Sequence, residues 1–171
     1  MSSKKNNSNL DDYFYMEQAL GLAKTNYGLT GENPSVGCVL VKNNQVISSG
    51  VTGINGRPHA EANAIKNSLI NVNGSTLYVT LEPCNHYGKT PPCTNLIKNK
   101  KIKNVVYGIN DIDPRTSKTA KKFLKNIKIK VKEGVLSKKL NKFYKSYFYI
   151  KRNKLPYVIG KIASSKDNFI K

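Results

Sequence analysis

From Leu10 to Lys151 the sequence alternates helix-length segments with short β-rich runs, and this order narrows the possible folds more than any other feature. Tyr13, Met16, Leu20, Ala23 and Tyr27 recur in steps of three and four, which predicts a helix over 10–27 with one apolar stripe. GLTGENP follows as a loop, and Pro34 biases Asn33 toward extended backbone. VGCVLV reads as a buried strand, KNNQ as a turn and VISSGV as the hairpin partner. HAEANAIKNSL has helical composition, and TLYVTLE is a β-rich run ended by Pro83. A second short helix is expected from Cys93 through TNLIKNK, with Pro91 and Pro92 at its entry. NVVYGI (strand), TAKKFLKN (helix) and IKIKV (strand) come next, and Leu140, Tyr144, Tyr147 and Phe148 lie at helical intervals in SKKLNKFYKSYFYIK. The order α-β-β-α-β-α-β-α-β-α predicts an α/β fold, a three-layer α/β/α sandwich around a sheet of about five strands. The opening hairpin makes that sheet mixed.

A chain of 171 residues suits one compact domain, expected here over 10–150, with 1–9 as a disordered tail and 151–171 as a linker. MSSKKNNSNL has lysines but no apolar core behind them, unlike a signal peptide, and no apolar run approaches the roughly 20 residues a bilayer requires. The expectation is a cytoplasmic chain without a membrane partner. Its charge is high: 29 Lys+Arg against 10 Asp+Glu, formally +19. Such an excess can serve nucleic acid, but only Arg57, Arg115 and Arg152 are arginine, the residue suited to bidentate phosphate and base contacts. The lysine bias therefore argues against a nucleic-acid partner and suits small anionic substrates.

Three cysteines in a reduced compartment favour metal binding or catalysis over a disulfide framework. Two of them, Cys84 and Cys93, lie in LEPCNHYGKTPPC, each directly after a proline. A helix N-terminus at such a cysteine favours its thiolate, the form a metal needs. With His59 of PHAEANAI they supply one nitrogen and two sulfurs, the donors zinc prefers, and leave a fourth corner for water. His86 is the rival for that corner and would close the site. Glu61 argues for catalysis, because a carboxylate beside an open corner can accept a proton from water there. Positions i and i+2 share a site only if His59 stands in the first helical turn, a place Pro58 favours. Cys38, inside VGCVLV, reads as a buried apolar residue.

Zinc deaminases of nucleobases carry H-x-E followed by P-C-x-x-C. Here His59-Ala60-Glu61 and Pro83-Cys84 fit, but eight residues separate Cys84 from Cys93. That longer loop, TLEPCNHYGKTPPC, resembles the deaminase domain of the RibD family, the riboflavin-biosynthesis deaminase–reductases. The likeness runs from about Tyr13 to Ile162 and includes NPSVGCVLV, PHAE and the Asp-Pro segment at Asp113. It implies a cytidine-deaminase-like fold, one zinc ion per chain on His59, Cys84 and Cys93, and Glu61 as the proton-transferring residue. The implied reaction is hydrolytic deamination of 2,5-diamino-6-ribosylamino-4(3H)-pyrimidinone 5′-phosphate to 5-amino-6-ribosylamino-2,4-pyrimidinedione 5′-phosphate, releasing ammonia. The implied substrate-binding residues are Asn33, His86, Lys89, Asp111 and Asp113, and the implied partners are a separate reductase polypeptide and further copies of the chain.

The chain departs from the family pattern at several positions. Thr52 stands where a substrate-contacting histidine is usual, Asp111-Ile112-Asp113-Pro114 replaces Asp-Pro-Asn-Pro, and Lys118 and Ala120 replace glycines. PYVIGKIASSKDNFIK resembles the opening of the family's reductase domain, with Lys166 and Asn168 in place of its leucine and glycine, so 151–171 is expected to be a remnant of it. Two competing readings are a deaminase of cytidine, a nucleotide or tRNA, and a basic zinc module without turnover.

Overall fold

The computed structural model describes residues 3–166, with side chains from Leu10 onward. Its elements are α1 (Ser3–Thr25), β1 (Gly37–Lys42), β2 (Gln45–Val51), α2 (Ala60–Lys66), β3 (Thr76–Leu81), α3 (Cys93–Asn99), β4 (Asn104–Ile109), α4 (Thr119–Asn126), β5 (Lys130–Glu133), α5 (Ser137–Phe143) and α6 (Lys145–Asn153). One five-stranded sheet has the order β2-β1-β3-β4-β5. β1 is antiparallel to both β2 and β3, whereas β3, β4 and β5 run parallel. The mixed three-layer sandwich predicted from the order of elements is the fold that forms.

Strand alternation assigns the two faces. A Cβ on Gly37 would stand 1.8 Å from the Ala19 carbonyl oxygen, so α1 packs directly on that face of β1. Gly50, paired with Cys38, faces the opposite way, where a Cβ would meet Ala60 and Ala64 of α2 at 2.4 and 2.3 Å. The small alanines of α2 and the bare glycine allow this helix to lie close on the β1–β2 hairpin. Tyr78 of β3 donates to Asp12 of α1 at 2.8 Å, and Thr80 bonds Tyr144, between α5 and α6, at 2.6 Å. α1 and α5 thus cover one face, and α2, α3 and α4 the other, around a core that includes Leu40, Leu77, Val79, Ile97, Val105 and Leu140.

Several boundaries differ from expectation for physical reasons. The first helix begins at Ser3, ahead of Leu10, and residues 1 and 2 of the expected tail lie outside the described residues. Its buried stripe is Tyr15, Met16, Ala19, Leu20 and Ala23; Tyr13 is exposed on its flank, and Tyr27 lies past its end, its hydroxyl on Ser146. The last strand starts at Lys130, because 127–129 close α4. Lys128 is left-handed (φ 63) and Ile129 N returns to Leu124 O at 3.0 Å. α2 ends at Lys66, leaving Leu69 and Ile70 exposed. The C-terminal helix breaks at Tyr144 into α5 and α6, and α6 continues past the expected boundary at 150. Residues 154–166 form no helix or strand, and residues 167–171 of the expected remnant lie outside the described residues. Among the described residues, no helix is long and apolar enough to cross a membrane.

Candidate active site

The site gathers at the carboxyl ends of β3 and β4, where parallel strands leave a crevice for ligands. β3 runs out at Leu81 and delivers Glu82, Pro83 and Cys84; α3 begins on Cys93; α2, on the same face, begins just after His59. His59 is the N-cap of α2, one position before the first helical turn, and Glu61 sits inside that turn, 4% exposed. The i, i+2 pair converges because one member stands at the helix entrance and the other within its first turn.

His59 Nδ1 lies 3.3 Å from Cys93 Sγ and 3.6 Å from Cys84 Sγ. Tetrahedral bonds of about 2.0–2.3 Å place ligand atoms roughly 3.5–3.8 Å apart, so these separations suit a shared ion. All three donor atoms fall within 4.8 Å of one another, and an imidazole with two thiols is a donor set zinc favours. The Cys93 amide donates to Cys84 Sγ at 3.2 Å, fixing that sulfur from the first turn of α3. Hydrogen bonding from Cys93, and then from His59, holds the Cys84 thiol well below its ordinary range. Cys93 moves the other way, first through its bond to Cys84 and then through burial. The hydrogen bond to Cys84 raises the His59 pKa. Burial, opposed by the His59 charge, raises that of Glu61. His86 stands outside this cluster, with Nδ1 2.9 Å from Thr116 Oγ1. Cys38 is buried in the sheet and also outside it, as its place in VGCVLV suggested.

A cleft of about 310 Å³ opens over the cluster, and Asn33, His86, Lys89, Asp111 and Asp113 all line it with His59, Glu61 and Cys84. A larger groove of about 610 Å³ adjoins it between the 27–35 loop and α6, but contains none of the metal-site residues. Asn33 Nδ2 donates to Gly56 O at 3.2 Å, which leaves its carbonyl oxygen to accept. Asp111 Oδ1 accepts from Ile112 N, Asp113 N and the Tyr147 hydroxyl, and burial raises its pKa. Asp113 is clasped by Arg115, Nη2 to Oδ2 at 2.6 Å and Nε to Oδ1 at 2.9 Å. Thr52 is buried, and its hydroxyl accepts from Val36 N at 2.9 Å.

Glu82, Thr116, Tyr147 and Lys151, besides Arg57 and Arg115, line this cleft and escaped the reading of the sequence. Glu82 is 3% exposed and accepts three backbone N–H bonds: from Asp111 at 3.3 Å, Lys118 at 2.9 Å and Ala120 at 3.1 Å. One carboxylate thereby fastens both ends of the loop carrying Asp111 and Asp113, including its left-handed Lys118 (φ 61). The available signal was an acid closing the apolar run TLYVTL, where burial demands partners. Thr116 holds His86 from the same loop. Tyr147 and Lys151 reach the cleft from α6, whose helical spacing alone does not distinguish a packed face from a cleft wall. Tyr144 does occupy the core, donating to Ser35 O at 2.9 Å.

The sequence model for the cytidine and deoxycytidylate deaminase zinc-binding region matches residues 9–109. The diaminohydroxyphosphoribosylamino-pyrimidine deaminase of Buchnera aphidicola subsp. Schizaphis graminum is 42% identical over 147 residues, 86% of this chain and 100% of that protein. The riboflavin biosynthesis protein RibD of Actinobacillus pleuropneumoniae is 38% identical over 94% of this chain, which spans only 43% of that protein. The solved diaminohydroxyphosphoribosylaminopyrimidine deaminase/5-amino-6-(5-phosphoribosylamino)uracil reductase of Thermotoga maritima superposes with a TM-score of 0.85 at 40% identity, over 94% of this chain and 46% of that one. A dCMP deaminase from the cyanophage S-TIM5 shares the fold at 23% identity, with a TM-score of 0.56 over 71% of this chain and 95% of that one. By this likeness in sequence, fold and ligand set, the chain belongs to the zinc-binding deaminase family, among its diaminohydroxyphosphoribosylaminopyrimidine deaminases.

Proposed function

We propose that this chain hydrolyses the 2-amino group from 2,5-diamino-6-ribosylamino-4(3H)-pyrimidinone 5′-phosphate, giving 5-amino-6-ribosylamino-2,4-pyrimidinedione 5′-phosphate and ammonia in riboflavin biosynthesis. The observation that carries this reading is the buried Glu61 carboxylate beside a nitrogen–sulfur–sulfur cluster, on a cleft lined by His86 and Lys89. Relatives named for this activity are about twice as identical to the chain as the cyanophage dCMP deaminase, which supports the pyrimidine phosphate over a cytidine nucleotide.

His59, Cys84 and Cys93 are the residues that would hold zinc, which supplies a water made acidic enough to act as a nucleophile near neutral pH. With zinc held there, Glu61 would take one proton from the water as its oxygen bonds the ring carbon bearing the amino group, and would deliver that proton to the adjacent ring nitrogen. It then carries the remaining hydroxyl proton to the amino group. The carbon–nitrogen bond breaks, ammonia leaves and the carbonyl forms, so one water is consumed for each ammonia. Asn33, through its free carbonyl oxygen, and Asp111 bind the ring; Lys89 and His86 face the anionic end. Asp113 serves the cleft by orienting Arg115. A reductase acting on the product is the partner this reading implies, and association of copies is expected from the family.

The test is ammonia release from freshly prepared pyrimidine phosphate by zinc-loaded protein, beside Glu61→Ala carrying equal zinc. Turnover in the first and none in the second supports the assignment. A wild-type protein that releases ammonia from cytidine, dCMP or tRNA adenosine instead, or from no substrate, overturns it.

A further inference from the structure

Arginine is scarce here, with Arg57, Arg115 and Arg152 the only ones among 29 basic residues. Two of the three, Arg57 and Arg115, line the cleft. Arg115 has its charge met by Asp113. Arg57 is held differently: Nη1 donates to the uncharged Thr90 hydroxyl at 2.5 Å, and among the described residues no ion pair takes up its charge. The guanidinium is therefore fixed in orientation and still available to an anion.

Its other terminal nitrogen faces a shared space. Arg57 Nη2 lies 3.8 Å, and His86 Nε2 3.9 Å, from the point where a Cβ on Gly88 would stand. Gly88 has no side chain, so both nitrogens converge on room above bare backbone. His86 Nδ1 is engaged by Thr116 Oγ1. With the threonine hydroxyl as donor, the ring proton sits on Nε2 and points into that room. Two N–H donors on one small space, one carrying a fixed positive charge, suit an oxyanion with several acceptor oxygens.

We propose that Arg57 Nη2 and His86 Nε2, meeting over Gly88, form the subsite for the phosphate monoester of the substrate, with Arg57 as its specificity-determining residue. This rests on the deaminase reading above and adds to it the group that selects a phosphorylated substrate. Arginine is needed because its planar fork can donate to Thr90 and to phosphate together, whereas a lysine ammonium is a point charge without that geometry.

The experiment compares zinc-loaded wild type, Arg57→Met, Arg57→Lys and Gly88→Val. Each is assayed with the pyrimidine phosphate, with its dephosphorylated riboside, and, by calorimetry, with ribose 5-phosphate. A charge-assisted hydrogen bond corresponds to about 10- to 100-fold in binding. Arg57→Met is expected to lower kcat/KM for the phosphate by that factor relative to the riboside, through KM, and to abolish ribose 5-phosphate binding; Arg57→Lys recovers only part. Gly88→Val fills the shared space without removing a donor and is expected to show the same selectivity, at wild-type zinc content and thermal midpoint. Equal losses on both pyrimidines, with ribose 5-phosphate binding unchanged, overturn the subsite. A wild type that releases no ammonia but binds ribose 5-phosphate through Arg57 supports the subsite and removes the deaminase reading alone.

Discussion

Replacing Glu82 with glutamine tests how the substrate loop is held. Oε2 accepts from Lys118 N at 2.9 Å and Asp111 N at 3.3 Å, and Oε1 from Ala120 N at 3.1 Å. A glutamine has one carbonyl oxygen. Placed where Oε2 was, it keeps two bonds and turns an NH2 group toward the Ala120 N–H, two donors face to face. An orphaned buried donor costs about 1–3 kcal/mol, and each retained bond falls from roughly 1.5–3 to about 0.5–1.5 kcal/mol once its acceptor is neutral. Burial opposes the ionised carboxylate, as its raised pKa records, so part of this loss is returned. The net expectation is a destabilisation of about 2–4 kcal/mol. Urea unfolding of the zinc-loaded protein measures it, alongside KM, which is expected to rise as the Asp111 loop loosens. Zinc content should stay at the wild-type value, since Glu82 touches no ligand atom. An unfolding free energy within about 0.5 kcal/mol of wild type would refute the reasoning, because no buried three-bond acceptor can be replaced so cheaply.

Cys84→Ser and Cys93→Ser are each expected to lose zinc and stability together, because ligand binding is coupled to folding; elemental analysis that finds wild-type zinc in either contradicts the ligand set. Tyr147→Phe removes a donor from Asp111 and should raise KM about 3- to 10-fold with unchanged zinc; an unmoved KM separates α6 from substrate binding. Hydrogen bonding from Arg115 holds Asp113 down at about 2, from an ordinary 3.8. Its contribution to stability is therefore complete above about pH 4 and is lost as pH falls toward 2, modestly, since the pair is partly solvent-exposed. The stability gap between wild type and Asp113→Asn should narrow over that window, and a gap that stays constant denies the pairing.

What was legible in the sequence was local. The element order carried the three-layer sandwich, because apolar period and turn residues act over a few positions. The metal cluster was readable because its chemistry confines it to few residue types: one histidine in PHAE and two prolyl-linked cysteines supply every donor. Glu61 followed from its place beside His59. The turn that closes α4 at Lys128 and the break at Tyr144 depend on a left-handed residue and on buried contacts across the sheet, and neither has a periodic signature.

The walls of the cleft were decided in three dimensions. Glu82 is an acid at the end of a strand until the chain returns 29 to 38 residues later to offer it three amides. Arg57 and Thr90, 33 positions apart, meet only because the sheet places the start of α2 beside the cysteine loop. Tyr147 reaches Asp111 through a helix whose spacing marks it simply as packed. A metal ligand declares itself by element and charge, but a hydrogen-bond partner does so only by position. The sequence by itself therefore determined the fold class and pointed to the candidate ion-binding residues, while the tertiary structure alone decided which groups hold, shape and charge the space where a substrate would lie.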